Sequence, residues 1–198
     1  MKSVKRMLSA AIAIVMTLAV FTGCGQKESV SDITLDEFES KVIKKVDASG
    51  KLTVTETGEG FDFVFDKYGE DQSYMTGIET FTGTANKERK LKSVTAVKDG
   101  VDVEYFMSMT ASEFVSDVMN HENIPARRVL GDLFLVDFSN VVSLCSPDAE
   151  STDGQLEKGM SVLLNARKAP QTINGWTYSV EGDAAGNTLT MKAEYVGK

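Results

Sequence analysis

The chain has 198 residues, with 21 Lys and Arg against 29 Asp and Glu, for a formal charge of -8. That is one domain's worth of material and excludes a large multidomain enzyme. A hydrophobic content of 42% with 25% charged residues belongs to a folded chain, and the acidic balance argues against nucleic acid as a partner, whose phosphates attract basic patches.

Residues 1–23 read as an export signal. Lys2, Lys5 and Arg6 make a basic start without an acid, residues 7–20 carry no charge, and the small residues Thr22 and Gly23 precede Cys24. A basic region, a short apolar region and a small-residue exit are the parts of a cleaved leader. The apolar run is too short for a spanning helix, which needs about 20 apolar residues.

The sequence Phe21-Thr22-Gly23-Cys24 resembles the lipobox of bacterial lipoprotein precursors. The resemblance covers residues 1–24 and does not reach the folded part. It implies that the Cys24 thiol receives a diacylglyceryl group and that a signal peptidase cuts between Gly23 and Cys24. It also implies a mature chain held on the outer face of the cell membrane, or in the outer membrane if the host has one. Lipoprotein-processing enzymes and the membrane itself are then partners. Loss of residues 1–23 removes three bases and no acids, leaving a net charge of -11 on 175 residues. Such a body is repelled by an anionic bilayer, so the acyl chains must hold it there, at ~0.8 kcal/mol per buried CH₂.

With Cys24 acylated, Cys145 is the one remaining thiol, which excludes an internal disulfide and a cysteine-rich zinc site. Residues 24–33 read as a lipidated N-terminus and polar tether, and residues 34–198 as a single domain.

The domain's elements follow in chain order. Thr34 and Glu37 form a capping box, and Leu35, Phe38, Val42 and Val46 recur at helical spacing. This predicts a helix over 35–47, with Lys44 and Lys45 favourably placed in its last turn. Alternating residues predict strands at 51–56 and 61–66, with Phe61, Phe63 and Phe65 on one face of the second; a content of Thr, Tyr and Ile predicts a third at 73–82, and 90–98 reads as a fourth. Asp99-Gly100 stands between two alternating runs, the second being Val101, Val103, Tyr105, Met107 and Met109. That is a hairpin signal, and it predicts a five-stranded antiparallel meander over 51–109.

A second capping box, Thr110 to Glu113, opens a helix with the apolar stripe Phe114, Val115, Val118 and Met119, and Pro125 closes it. Residues 127–145 follow a helical pattern ended by Ser146-Pro147, with strand character within 133–138. Leu156, Met160, Leu163 and Arg167 predict another helix before Pro170. Two alternating runs, 176–180 and 189–195, flank a turn at 182–186 and predict a terminal hairpin. The fold class is α+β: an antiparallel meander plus a C-terminal hairpin, with helices on one side of the sheet.

Catalytic motifs are absent from the sequence. His121 is the only histidine, has no nucleophile motif beside it, and suits a helix C-terminus. Asp148, Glu150 and Asp153 miss the calcium-loop register, because the sixth and twelfth positions are Asp153 and Gly159. Gly58-Glu59-Gly60 lacks the third glycine of a dinucleotide fingerprint. The basic run 86–92 reads as a charged strand edge, Arg127-Arg128 as a helix-surface pair, and Cys145 as a buried, inert thiol. No catalytic residue, metal site or cofactor is assigned.

One apolar feature stands out. Phe61, Phe63, Phe65, Tyr105, Met107, Met109, Trp176 and Tyr178 are candidates to line a ligand pocket between sheet and helices, where adaptable Met suits variable ligands; the alternative is plain core. The sequence therefore points to a non-enzymatic, lipid-anchored binding or accessory protein of the bacterial envelope, whose partner is an envelope protein or a small lipophilic molecule. The alternatives are a carrier or sensor of a lipophilic molecule and a hydrolase using carboxylates such as Asp62, Asp66 or Glu104.

Overall fold

Alternating side chains give a sheet one apolar face, and that face must be covered. The structure, a computed structural model, describes residues 30–46, 50–66, 80–146 and 155–197. Seven strands lie among them: β1 (Lys51–Thr57), β2 (Gly60–Asp66), β3 (Thr80–Ala85), β4 (Leu91–Asp99), β5 (Gln171–Ile173), β6 (Trp176–Asp183) and β7 (Thr188–Tyr195). They form one sheet in the order β1-β2-β3-β4-β7-β6-β5, and every neighbouring pair is antiparallel.

Register puts Phe65, Phe81, Ala96, Met191 and Val180 in one cross-strand row, and Phe63, Gly83, Val94, Ala193 and Tyr178 in the next. All of these apolar side chains are buried. Gly83 is required by the second row: a Cβ there would stand 2.4 Å from the Phe63 ring. The opposite face carries rows such as Val64, Thr82, Thr95, Lys192 and Ser179, and it is polar and largely open.

Helices cover the apolar face. Helix α1 runs over 35–46, opened by the predicted capping box and widened through a π-helical turn at Glu39–Ile43, where the Lys44 N–H donates to the Glu39 carbonyl. Four more follow β4: α2 (Val103–Ser108), α3 (Ala111–Met119), α4 (Ala126–Cys145) and α5 (Gln155–Ala166). Helix α4 is the spine of this layer, and it touches α1, α2, α3, α5, β4 and β7. Phe81 is the hub beneath it, with ring centroids 5.5 Å from Phe38, 6.2 Å from Phe65 and 6.5 Å from Phe138. The α+β architecture expected from the sequence is therefore present.

Several expectations are corrected. The fifth meander strand does not form: residues 103–108 are helix α2, and β4 pairs with β7 instead. Asp102 decides this locally, because its side chain accepts from the Tyr105 N–H at the helix start. Gly100 takes a positive φ but Asp99 does not, so the two-residue hairpin turn is not made. Residues 133–138 are entirely helical. The end of the tether belongs to the fold, since the buried Ser31 Oγ donates to the Leu91 carbonyl at 2.7 Å and Leu91 N–H donates to Ile33 at 2.8 Å. A strand before the terminal hairpin, β5, escaped the pattern; its signal is Asn174-Gly175, both at positive φ, between Ile173 and Trp176. Of the predicted strand 73–82, residues 73–79 lie outside the described residues, as does the acidic loop 148–154.

Phe81→Ala is expected to lower the unfolding free energy by about 3–5 kcal/mol, the usual cost of removing a buried aromatic. Thr82→Ala, on the open face, should change it by about 0.5 kcal/mol or less. Urea unfolding of both variants checks this, and a loss below about 1 kcal/mol for Phe81→Ala would contradict its place as hub.

Candidate functional site

The apolar cover is incomplete at one margin. Between the α2–α3 corner and α5 lies an open groove of about 520 Å³, within the range of about 300–1,000 Å³ typical of small-molecule sites. Its walls include Met107, Met109, Phe114, Val115, Met160 and Leu164. Each comes from a local device. The short helix α2 ends at Ser108, and the Thr110 capping box restarts the chain as α3, with the Thr110 N–H donating to Glu113 at 2.7 Å. That restart turns Phe114 inward and leaves Val115 on the rim. Three thioethers give this wall an adaptable, polarisable surface.

The apolar stripe predicted for α3 divides. Phe114 is buried, whereas Val115, Val118 and Met119 are exposed. The exposed three lie at helical spacing on one face, which continues the apolar wall out of the groove.

Among the described residues, the ionisable side chains that line the groove are Arg167 and Lys168, both cations. Arg167 spans the groove end: Nε donates to Leu164 at 3.0 Å, one terminal nitrogen to Phe106, and the other to Met109 at 2.8 Å. All three acceptors are backbone carbonyls, and no carboxylate pairs with Arg167 among the described residues. Desolvation by burial pulls its affinity for the proton below the usual guanidinium range. Three bonds leave one N–H on each terminal nitrogen without an acceptor among the described residues.

A second polar cluster lies behind α3, where it holds the helix in place. The Tyr105 hydroxyl donates to Asp117 at 2.7 Å, and the Arg128 guanidinium lies over the Tyr105 ring, 3.7 Å from its centroid. Arg128 Nε stands 3.7 Å from Asp102. Burial first, then the bond to Asp117, pushes the Tyr105 phenol up to about 12. Asp132 on α4 is buried, and its Oδ1 has no hydrogen-bond partner among the described residues. Desolvation, reinforced by repulsion from Asp117 and opposed by Arg128, lifts its carboxyl to about 7. These groups tie α2, α3 and α4 together, and none of them lines the groove.

The proposed pocket residues separate. Phe63, Phe65, Trp176 and Tyr178 are buried in the packed core. Phe63 packs at a tilt against Phe38 with ring centroids 5.3 Å apart, Trp176 meets Tyr195 edge-on at 5.4 Å, and the Tyr178 hydroxyl bonds Ser146 at 2.9 Å. Phe61 is partly buried beneath the Arg89 guanidinium, and Tyr105 belongs to the polar cluster. Only Met107 and Met109 reach the groove. Phe114, Met160, Leu164 and Arg167 were missed as site residues; their signal is the helical spacing of two segments 46 or more residues apart, which says nothing about their meeting.

Other candidates take structural places. Asp62 is exposed on the open sheet face, Asp66 accepts from Thr80, and Glu104 is exposed on α2. Cys145 is a buried free thiol whose pKa burial drives far upward. Arg127 bonds Asn187 and the Val101 carbonyl, while Arg89 pairs with Asp36 at 2.8 Å. His121 begins a 3₁₀ turn directly after α3. No cluster of metal-ligating side chains occurs among the described residues, and no described helix is long and apolar enough to cross a membrane.

Asp132 sets a pH dependence of known sign. Its carboxyl holds a proton to about 7 in the native state, against 3.8 ordinarily. Its contribution to stability is full below about pH 4 and is lost as pH rises through about 7. Asp132→Asn should therefore be more stable than the native chain at pH 8, by about 1–3 kcal/mol, and equal to it near pH 4. Urea unfolding at the two pH values checks this, and a variant less stable at pH 8 would contradict it. Comparison with protein-family models, curated proteins and solved structures finds no match to this chain.

Proposed function

We propose that the protein is a lipid-anchored extracytoplasmic binding protein of the bacterial envelope, with no catalytic role, and that it takes a small, largely apolar molecule in the groove between the α2–α3 corner and α5. The observation that carries the binding reading is the groove itself: about 520 Å³, open, and walled by Met107, Met109, Phe114, Met160 and Leu164. Met109, Phe114 and Leu164 form its buried floor, while Met107 and Met160 are partly exposed and Val115 is exposed at its rim. The anchoring reading rests on the leader and the Phe21-Thr22-Gly23-Cys24 sequence.

The two parts are tested separately. Intact-mass measurement of the exported protein should give a chain beginning at Cys24 with a diacylglyceryl group, and Cys24→Ala should take up no palmitate label. An unmodified mature N-terminus would contradict the anchor. For the groove, the lipidated protein in nanodiscs is exposed to a diazirine-bearing dodecanol. Crosslinks should fall in 107–115 and 160–168, and Ser161→Trp, a filling substitution at an exposed lining position, should reduce them at least fivefold. Crosslinks spread evenly over the surface would contradict binding there.

A further inference from the structure

We infer that the groove's ligand is a single-chain amphiphile with an anionic head, such as a long-chain carboxylate, taken from solution; this rests on the binding reading above and adds the ligand's charge and source. The apolar wall, with Met107, Met109, Phe114, Met160 and Leu164, accepts a hydrocarbon chain. Among the described residues, the groove's ionisable lining is two cations, Arg167 and Lys168, in a chain whose acids outnumber its bases by eight. Arg167, among the described residues, meets only carbonyl oxygens and keeps one N–H on each terminal nitrogen without an acceptor. A carboxylate head between Arg167 and Lys168 would supply the missing negative charge through charge-assisted hydrogen bonds. The acid nearest in sequence on α3, Glu113, is committed to the Thr110 N–H and hydroxyl, which hold its carboxyl below the usual range.

The source follows from where the groove sits. The tether joins the fold beside Leu91, the first residue of β4. Met107 lies over Gly182, in the row of Leu189 and Lys98. That row is about 24 Å along the strand from Leu91, at roughly 3.4 Å per residue. The groove therefore belongs to the end of the sheet away from the point where the tether joins the fold, and the mature chain's net negative charge keeps the body off an anionic bilayer.

The test uses the lipidated protein in nanodiscs and three diazirine probes of one chain length: laurate, dodecanol and dodecylamine. Laurate should crosslink within 107–115 and 160–168 at least tenfold more than the amine and about fivefold more than the alcohol. Lys168→Glu, at an exposed position, should lower the ratio of laurate to dodecanol crosslinking about fivefold, to near parity. Equal crosslinking by all three would overturn the anionic head while leaving the groove as a binding site. No crosslinking in these segments by any probe would overturn both. A nanodisc phospholipid carrying the diazirine on its acyl chain should not reach these segments, and crosslinking there would overturn the soluble source.

Discussion

Everything in this fold depends on the need to cover one face of a seven-stranded sheet. Register lines up Phe65, Phe81, Ala96, Met191 and Val180 across five strands, and all five are buried in the core, where removal from water favours folding. The neighbouring row must admit Phe63, so its partner on β3 is Gly83. Helix α4 lies across these rows, and Phe81, Phe138 and Phe38 lock α4 and α1 to the sheet. The other helices are arranged around that spine.

The groove is what this arrangement leaves at its margin. Helix α2 is too short to cover the sheet edge alone, and the chain restarts at Thr110 as α3. The turn between them is held by Arg167 from α5, which binds the carbonyls of Phe106 and Met109, and from behind by Tyr105, Asp117 and Arg128. One guanidinium thus both closes the corner and charges the groove. Its lack of a carboxylate partner among the described residues is unusual for a partly buried cation, since such charges are ordinarily paired. The groove combines an apolar wall with an unbalanced charge, and both are features of a site for an amphiphile.

Much of the fold was legible in the sequence, for identifiable reasons. Period-two alternation marked β1, β2, β6 and β7, and both threonine capping boxes opened helices. The failure at 101–109 is equally physical. Val101, Val103, Tyr105, Met107 and Met109 alternate, but Val103 and Phe106 also stand at helical spacing, and the Asp102 cap settles the competition. The site was less legible than the fold. Aromatic alternation drew attention to Phe63, Phe65, Trp176 and Tyr178, which are core, because a covered sheet face and a ligand-lined one have the same pattern. The groove joins residues 107–115 to residues 160–168, and only the packing of α4 and α5 brings those segments together.

The central claim is that the groove is a ligand site, and amide hydrogen exchange of the lipidated protein in nanodiscs, with and without laurate, tests it most directly. The account predicts slowed exchange confined to residues 107–115 and 160–168 when laurate is present. Unchanged exchange in both segments at saturating laurate, or protection on the open sheet face instead, would contradict it.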